Sequence, residues 1–510
     1  VNLRPYQSDC VAAVESGFEN FTKQLAVLPT GAGKTIIFAK LAAGRAERGE
    51  RTLILAHRSE LIYQAVEKIF AATGIRAETE KAEEWAGVDE STRIVVGSVQ
   101  TMTGDRLNRW PSDFFSLVVA DEAHHAMSDS WRKTLAHFDG NADVLGVTAT
   151  PDRNDKRNLG QYFENVAFEI GLFDLIRDGY LSPIAVKSLP LEIDLRGVKV
   201  TAGDFDDAQL GHALEPYLAS IAKEIKAHAE FRRTLAFLPL IATSQKFVAA
   251  CRDAGIDAEH ADGDSPDRAQ KLARFERGEF SLLSNAMLLT EGYDCPPVDC
   301  VAMLRPTSSR ALYSQCVGRG TRVCDFKENL LLLDFLWLTE KHKLSRPAHL
   351  VAKSEDEAEE ITKLAAEKSG AKQDELELEG LASEVQAQRE AKLRQELKEH
   401  SRKSSRIISA DEFAIANDAF AVAEFEPTMK WESEPPTPKQ EKYLRAAKIK
   451  IETVRGRGHA RQLLDLHFRN QSLRLATPKQ VSYLSRRGFP QAHEMTFNEA
   501  RRAIAGLAKN

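Results

Sequence analysis

The sequence predicts an α/β chain: two lobes, each built on a parallel sheet with crossover helices, followed by a mostly helical, basic C-terminal region. Three observations carry this. Between Leu25 and about Pro183, short apolar runs (QLAVLPT, RTLILAHR, RIVVGSVQ, FSLVVADEAHH, ADVLGVTATP) alternate with helix-like segments. That is the pattern of strand–helix–strand units, whose chemistry sits at the C-terminal ends of the strands. From about Arg233 the pattern restarts as RTLAFLPL, FSLLSNAML, VDCVAMLRP and NLLLLDFLWL. Beyond Ser345 it stops, and the chain becomes rich in Glu, Lys, Ala and Gln.

These observations divide the 510 residues into a first lobe over 1–185, a linker or insert over 186–230, a second lobe over 231–345, a charged helical segment and linker over 346–436, and a basic helical module over 437–510. A chain of this length is too long for one core. Residues 351–406 read as an exposed helix or strut, and EFEPTMKWESEPPTPKQ as a linker. The final module carries a repeat at an offset of forty residues: TPKQEKYLRAAKI at 437 and TPKQVSYLSRRGF at 477. Thr as N-cap with Pro at the first helical position marks a helix start. Each copy reads as a helical hairpin, and the two are expected to share one core.

Composition narrows the function classes. No uninterrupted apolar run approaches about 18 residues, so no membrane span is expected. The six cysteines, at 10, 251, 295, 300, 316 and 324, form no CxxC pair. A zinc knuckle or disulfide framework is therefore not expected, and reduced thiols in a cytoplasmic setting are. Organelle targeting stays open because the chain opens at Val1. The net charge of −6 hides an asymmetry: residues 437–510 carry sixteen Lys/Arg against five Asp/Glu, a formal +11 that leaves −17 over 1–436. A basic tail on an acidic body points to a polyanionic partner.

The chemistry begins at PTGAGKT. Thr30, Gly31, Ala32 and Gly33 form a tight turn between a strand and a helix, where backbone N–H groups and the helix N-terminus attract phosphate. Lys34 reaches the β- and γ-phosphates of a nucleotide in such a loop, and Thr35 ligates Mg²⁺. The strict pattern has glycine where this chain has Leu28. About ninety residues on, the strand FSLVVADEAHH ends in Asp121 and Glu122. Asp121 is suited to hold Mg²⁺, largely through water, and Glu122 to orient and deprotonate an attacking water. In YSQCVGRGTRV, Arg319 and Arg322 are three apart, one helical turn, so that both point the same way; Gln315 precedes Arg319 by a turn. Two cations on the second lobe aimed at a γ-phosphate would act as arginine fingers.

The ordered set LRPYQ, PTGAGKT, AHRSELIYQ, GSVQTM, DEAH, TAT, LTEGYDCP and QCVGRGTR spans roughly residues 3–323 and resembles the superfamily 2 helicases and translocases. LRPYQ, GSVQ, GYLSP, RPTSS and VGRGTR are most similar to the bacterial RadD-like DNA-repair helicases, whose zinc-binding, cysteine-rich C-terminal sequence this chain lacks. The resemblance implies tandem RecA-like domains with ATP and Mg²⁺ in the cleft between them. It implies adenine recognition by Arg4 and Gln7, and coupling through His124, Thr148 and Thr150. Gly292 and Asp294 would contact nucleotide and strand. Nucleic-acid contacts are implied for Arg58, Gln64, Ser98, Gln100 and Thr101, with Thr243 and Thr290 in the second lobe. His57, His124 and His125 could instead suggest a metal, a reading that the DEAH context disfavours.

The function expected is an ATP-dependent translocase or helicase acting on forked or branched DNA. The basic repeats would add a grip on phosphates through Lys439, Lys479, Arg461, Arg501 and the RGRGHAR segment, or serve instead as a docking module for protein partners whose charges keep it soluble. An RNA helicase, the motor subunit of a larger defence, restriction or replication machine, and an ATP-switched scaffold are the alternatives.

Overall fold

Runs of Val, Ile and Leu bounded by small residues form strands here that are buried on both faces, which is what a parallel sheet covered by helices requires. In the computed structural model, the description covers residues 2–507 apart from 58, 127, 150–158, 202, 203, 264, 266, 287, 288, 290–292, 294, 339–343, 353, 370–375, 401–408, 418, 473–475, 477, 486, 488, 490, 493 and 494. The chain folds as two compact units, Val1–Asp155 with Asn165–Val385 and Lys156–Glu164 with Gln386–Asn510.

The first unit holds both lobes. Its first sheet contains β1 (Lys23–Val27), β2 (Thr52–Ala56), β3 (Glu78–Glu80), β4 (Ile94–Ser98), β5 (Leu117–Asp121), β6 (Asp143–Thr148) and β7 (Asn165–Glu169). Their spatial order is β3-β4-β2-β5-β6-β1-β7, with every pair parallel. Because β5, β6 and β1 are neighbours, the phosphate loop, the Asp121–Glu122 pair and Thr148 emerge side by side from one end of the sheet.

The second sheet contains β8 (Ile184–Asp194), β11 (Thr234–Phe237), β12 (Ala258–Ala261), β13 (Leu282–Asn285), β14 (Cys300–Met303), β15 (Leu330–Leu338) and β16 (Leu376–Glu377). Its order is β12-β13-β11-β14-β15-β8-β16, parallel except for β16. A short hairpin of β9 (Val200–Thr201) and β10 (Asp204–Phe205) follows β8.

Two expectations change here. The segment 186–230 is not a plain linker. Strand β8 pairs with β15 along its length, and Leu189, Ile193, Leu210, Leu214, Ile221 and Ile225 pack in one core with Leu331 and Leu333. Arg305 ties this segment down through Asp204 (3.0 Å) and Asp207 (2.9 Å). Nor is 351–406 an exposed strut throughout: Ala358, Ile361, Leu378, Leu381, Ala382 and Val385 are buried in the core of the first unit. In both cases charged residues on the outer face mask a sparse apolar inner face.

The second unit begins well before the first repeat. Ala410, Phe413, Ala414 and Ala423 complete a core closed by Leu444, Ala460, Leu463 and Leu464. The first copy forms the helices Pro438–Ala446 and Arg457–Ser472, and the second Pro478–Ser485 and Phe497–Leu507. Thr437 caps its helix as expected, and Gln440 completes a reciprocal capping box. The copies do not share one core, however. Ala476, Val481, Leu484, Ala492 and Ala500 form a separate cluster. Among the described residues no helix is long and apolar enough to cross a membrane.

Candidate active site

The phosphate loop is shaped by backbone that only glycine adopts easily. Gly31 (φ 88°) and Gly33 (φ 77°) both lie in the left-handed region, and Gly33 is the N-cap of the helix Lys34–Glu47. A Cβ on Gly33 would stand 2.5 Å from Gln7 Nε2. That closeness lets Gln7 donate to the Ala32 carbonyl at 3.1 Å, while the Tyr6 hydroxyl donates to the same oxygen at 2.8 Å. Arg4 N donates to Gln7 Oε1 at 3.0 Å, and the Arg4 guanidinium lies over the Tyr180 ring at 5.4 Å. Arg4 and Gln7 therefore brace the loop from outside, together with Tyr6 and Tyr180.

Glu122 sits at the end of β5 with φ 53° and ψ 54°, a strained conformation for a residue with a side chain. It is buried, with Oε1 3.5 Å from Lys34 Nζ and Oε2 3.5 Å from His124 Nδ1. His124 Nδ1 is also 3.4 Å from Thr148 Oγ1, and the Thr148 carbonyl accepts from Leu28 N at 3.0 Å. Loop, carboxylate, histidine and threonine thus form one closed ring of contacts. Asp121, the last residue of β5, accepts from Glu122 N at 3.1 Å through Oδ1. Thr35 opens the helix after Lys34.

The arginines do not lie on a helix, contrary to the expectation. The helix Arg310–Val317 ends at Gly318, and Arg319 and Arg322 come from the turn that follows. They still point together, because Arg319 Nη1 and Arg322 Nη1 both donate to the Tyr293 carbonyl, at 3.0 and 3.2 Å. The turn is pressed onto the first lobe. A Cβ on Gly318 would lie 2.5 Å from Thr30 Cβ, and one on Gly31 would lie 3.8 Å from Arg322 Cγ. Ser182 strengthens this junction: its N–H donates to the Thr321 carbonyl at 2.6 Å and its hydroxyl to the Arg322 carbonyl at 3.0 Å. Lys327 donates to the Gly320 and Arg322 carbonyls, and burial pushes its pKa down to about 8.

Thr30 Oγ1 and Gln315 Nε2 are buried polar atoms without a hydrogen-bond partner, one in each lobe. Such orphans call for a ligand or water. With the glycine loop, Lys34, and the Asp121–Glu122 pair, they fit a nucleoside triphosphate with a divalent cation.

The residues expected on a nucleic-acid face divide. Gln100 is exposed, with Nε2 on the His57 carbonyl at 2.8 Å, and Thr101 Oγ1 accepts from Ala82 N at 3.3 Å. Ser98 is buried and donates to Gln100 Oε1 at 2.7 Å, so it positions Gln100. Gln64 is half-buried on the helix Ser59–Thr73. Thr243 is a correction: at 1% exposure its hydroxyl faces the Gly211 backbone, out of reach of a polymer. Arg58, Thr150, Thr290, Gly292 and Asp294 lie outside the described residues. Sequence reasoning missed Tyr180, Ser182 and the Tyr293 carbonyl. The first two both sit within the GYLSP string, but a carbonyl leaves no trace in residue types.

Two α/β lobes closed on a phosphate loop, with arginines from the second reaching the first, define a tandem RecA-like fold. Residues 1–153 match the family model described as "Type III restriction enzyme, res subunit", and residues 217–324 the "Helicase conserved C-terminal domain". The candidate ATP-dependent helicase IRC3 of Saccharomyces cerevisiae is 31% identical over 377 residues, covering 69% of this chain and 54% of its own length. A fragment of a candidate HsdR subunit of a type I restriction enzyme from Vibrio vulnificus is 25% identical (TM-score 0.52), covering 65% of this chain and 64% of that one. The DNA-bound type ISP restriction-modification enzyme LlaBIII shares the fold at 17% identity (TM-score 0.54), over 72% of this chain and 30% of its own. The chain belongs to helicase superfamily 2. It spans about half the length of the curated IRC3 relative. Kinship with the RadD-like branch rests on the motifs alone.

Proposed function

We propose that the chain is an ATP-dependent DNA translocase or helicase that converts opening and closing of the cleft between its lobes into stepping along a phosphate backbone. One observation carries this reading: the turn bearing Arg319 and Arg322 packs directly on Thr30 of the phosphate loop. Bound ATP with Mg²⁺ supplies a triphosphate whose cleavage changes the charge held between the lobes. Lys34 and the loop backbone would hold the phosphates, Thr35 and Asp121 would hold the cation, and Glu122 would orient water and take its proton. Arg319 and Arg322 stabilise negative charge from the opposite lobe. The Glu122–His124–Thr148 contacts supply a route by which the site's state reaches the strand-binding side.

Forked or branched DNA is the substrate proposed. Gln100 and Thr101 are the best supported contacts of the first lobe. In the second unit, Lys439, Arg461 and Arg501 are exposed and suited to phosphate contacts, whereas the Lys479 side chain lies outside the described residues. Arg455 and Arg457 of RGRGHAR serve the unit's own structure, paired with Asp411 (2.9 Å) and Glu434 (2.7 Å). A second reading, the motor subunit of a larger restriction-type assembly, is favoured by the match over 1–153 and the likeness to the HsdR fragment. We propose a cytoplasmic, nucleoid-associated location, with organelle targeting as the alternative.

The test is ATP turnover with single-stranded, duplex and forked DNA and with RNA, using Glu122→Gln as the control. Stimulation greatest with forked DNA and abolished in the variant is expected. Stimulation by RNA alone would transfer the reading to an RNA helicase, and no stimulation by any polymer would refute the motor.

A further inference from the structure

Trp85 is 59% exposed, although tryptophan is highly buried on average. The structure holds it in place firmly. The Arg106 guanidinium stacks on the ring at 3.4 Å from its centroid, with that of Arg109 at 4.9 Å. Both guanidiniums are fixed by the same carboxylate, Glu80, whose side chain is fully buried at the end of β3. Arg106 donates in addition to the Ala82 and Glu84 carbonyls, and Arg109 to that of Ala86. Beside this loop, Tyr63 is 44% exposed, with the Lys81 ammonium 4.3 Å from its ring centroid. The loop is also joined to the proposed strand-binding face, because Ala82 N donates to Thr101 Oγ1 at 3.3 Å.

A buried carboxylate and two arginines thus brace an indole that still leaves 59% of its surface open to solvent. We propose that Trp85 is a stacking platform for an unpaired base of the nucleic-acid strand that passes Gln100 and Thr101. This rests on the nucleic-acid motor reading above and adds a base contact to it. An aromatic face suits an unpaired base of any identity, because every base has a π-face. Phosphate attraction does not explain the loop. Lys81, Arg106 and Arg109 are balanced by Glu80, Glu83 and Glu84, so the ring and not net charge supplies the grip. A duplex, with its bases already stacked, gains nothing here.

The test uses the full chain and a single-stranded oligothymidylate. Trp85→Ala is expected to weaken its binding by about five- to a hundredfold, the range for loss of one base–aromatic stack, and Trp85→Phe by less. The slope of affinity against salt should stay the same in both variants, since no phosphate contact is lost. In a Trp431→Phe background, which removes the half-buried indole beside Arg461, tryptophan emission should be quenched on oligonucleotide binding when Trp85 is present and not in Trp85→Phe, because Trp110 and Trp131 are buried. An unchanged thermal midpoint checks that the variants fold. If the parent binds the strand while both variants bind equally well and quenching persists in Trp85→Phe, the platform is refuted and the motor reading stands. If the parent binds no nucleic acid at all, both fall.

Discussion

The tripeptide Gly-Arg-Gly occurs in both units, at 318–320 in VGRGTR and at 456–458 in RGRGHAR, and the two copies are put to opposite uses. In the first unit, glycine lets the backbone come within contact of Thr30, and Arg319 and Arg322 converge on the Tyr293 carbonyl beside the phosphate loop. In the second, the arginines close their own fold. Arg455 makes a two-pronged pair with Asp411 and also donates to the Ala423 and Phe425 carbonyls, while Arg457 pairs with Glu434. The difference teaches that a basic Gly-Arg string is neither a finger nor a phosphate grip by itself. What it faces decides.

The sharpest way to break this comparison is to remove the arginines of each copy in turn. Arg319→Ala or Arg322→Ala should lower polymer-stimulated ATP turnover by about 10³–10⁵-fold with nucleotide affinity nearly intact, as measured by steady-state kinetics and nucleotide binding. A loss confined to affinity would mean that these residues bind nucleotide without acting on the reaction.

Arg455→Ala should destabilise the second unit by about 1–3 kcal/mol in denaturant unfolding, through the lost charge-assisted bonds and the stranded carbonyls. Turnover without a polymer should not change. A collapse of turnover would erase the distinction between the two copies.

The smallest effect concerns pH. Glu379 accepts from Ile184 N at 3.1 Å at the start of β8, and burial pushes its pKa up to about 7. Its folded value lies above the unfolded one of about 4.3, so its favourable contribution is complete below about pH 4 and is lost as pH rises through 7. Glu379→Gln should therefore raise stability by about 1–3 kcal/mol at pH 8 and by much less at pH 5. Thermal unfolding at the two pH values checks this, and an equal gain at both would show that the carboxyl is not held protonated.

Much of the first lobe was legible in residues. Strands buried on both faces are continuous apolar runs, and a phosphate loop needs glycine where φ is positive, so both leave marks in composition. Strand β8 was not legible. Lys187, Ser188 and Glu192 break its apolar run, and it is a strand because β15 supplies a ladder partner. The arginines were found for the wrong local reason: three residues apart suggested one helical turn, whereas the helix stops at Gly318 and a shared carbonyl aligns them. Thr243 looked available for a polymer because burial under Gly211 comes from a helix some thirty residues away in the chain.

Local chemistry was therefore determined by the sequence alone: the glycine turn, the Asp121–Glu122 pair after an apolar strand, the caps of the repeats and the charge of the tail. Each depends on neighbours within a few residues, where backbone sterics and hydrogen-bond geometry act directly. Tertiary structure decided what depends on distant partners. It brought Thr30 against Gly318, aligned two arginines on one carbonyl, seated Trp85 on Arg106, and spent Arg455 on Asp411. Burial and electrostatic pairing act through space, and no short window of sequence contains both members of such a pair.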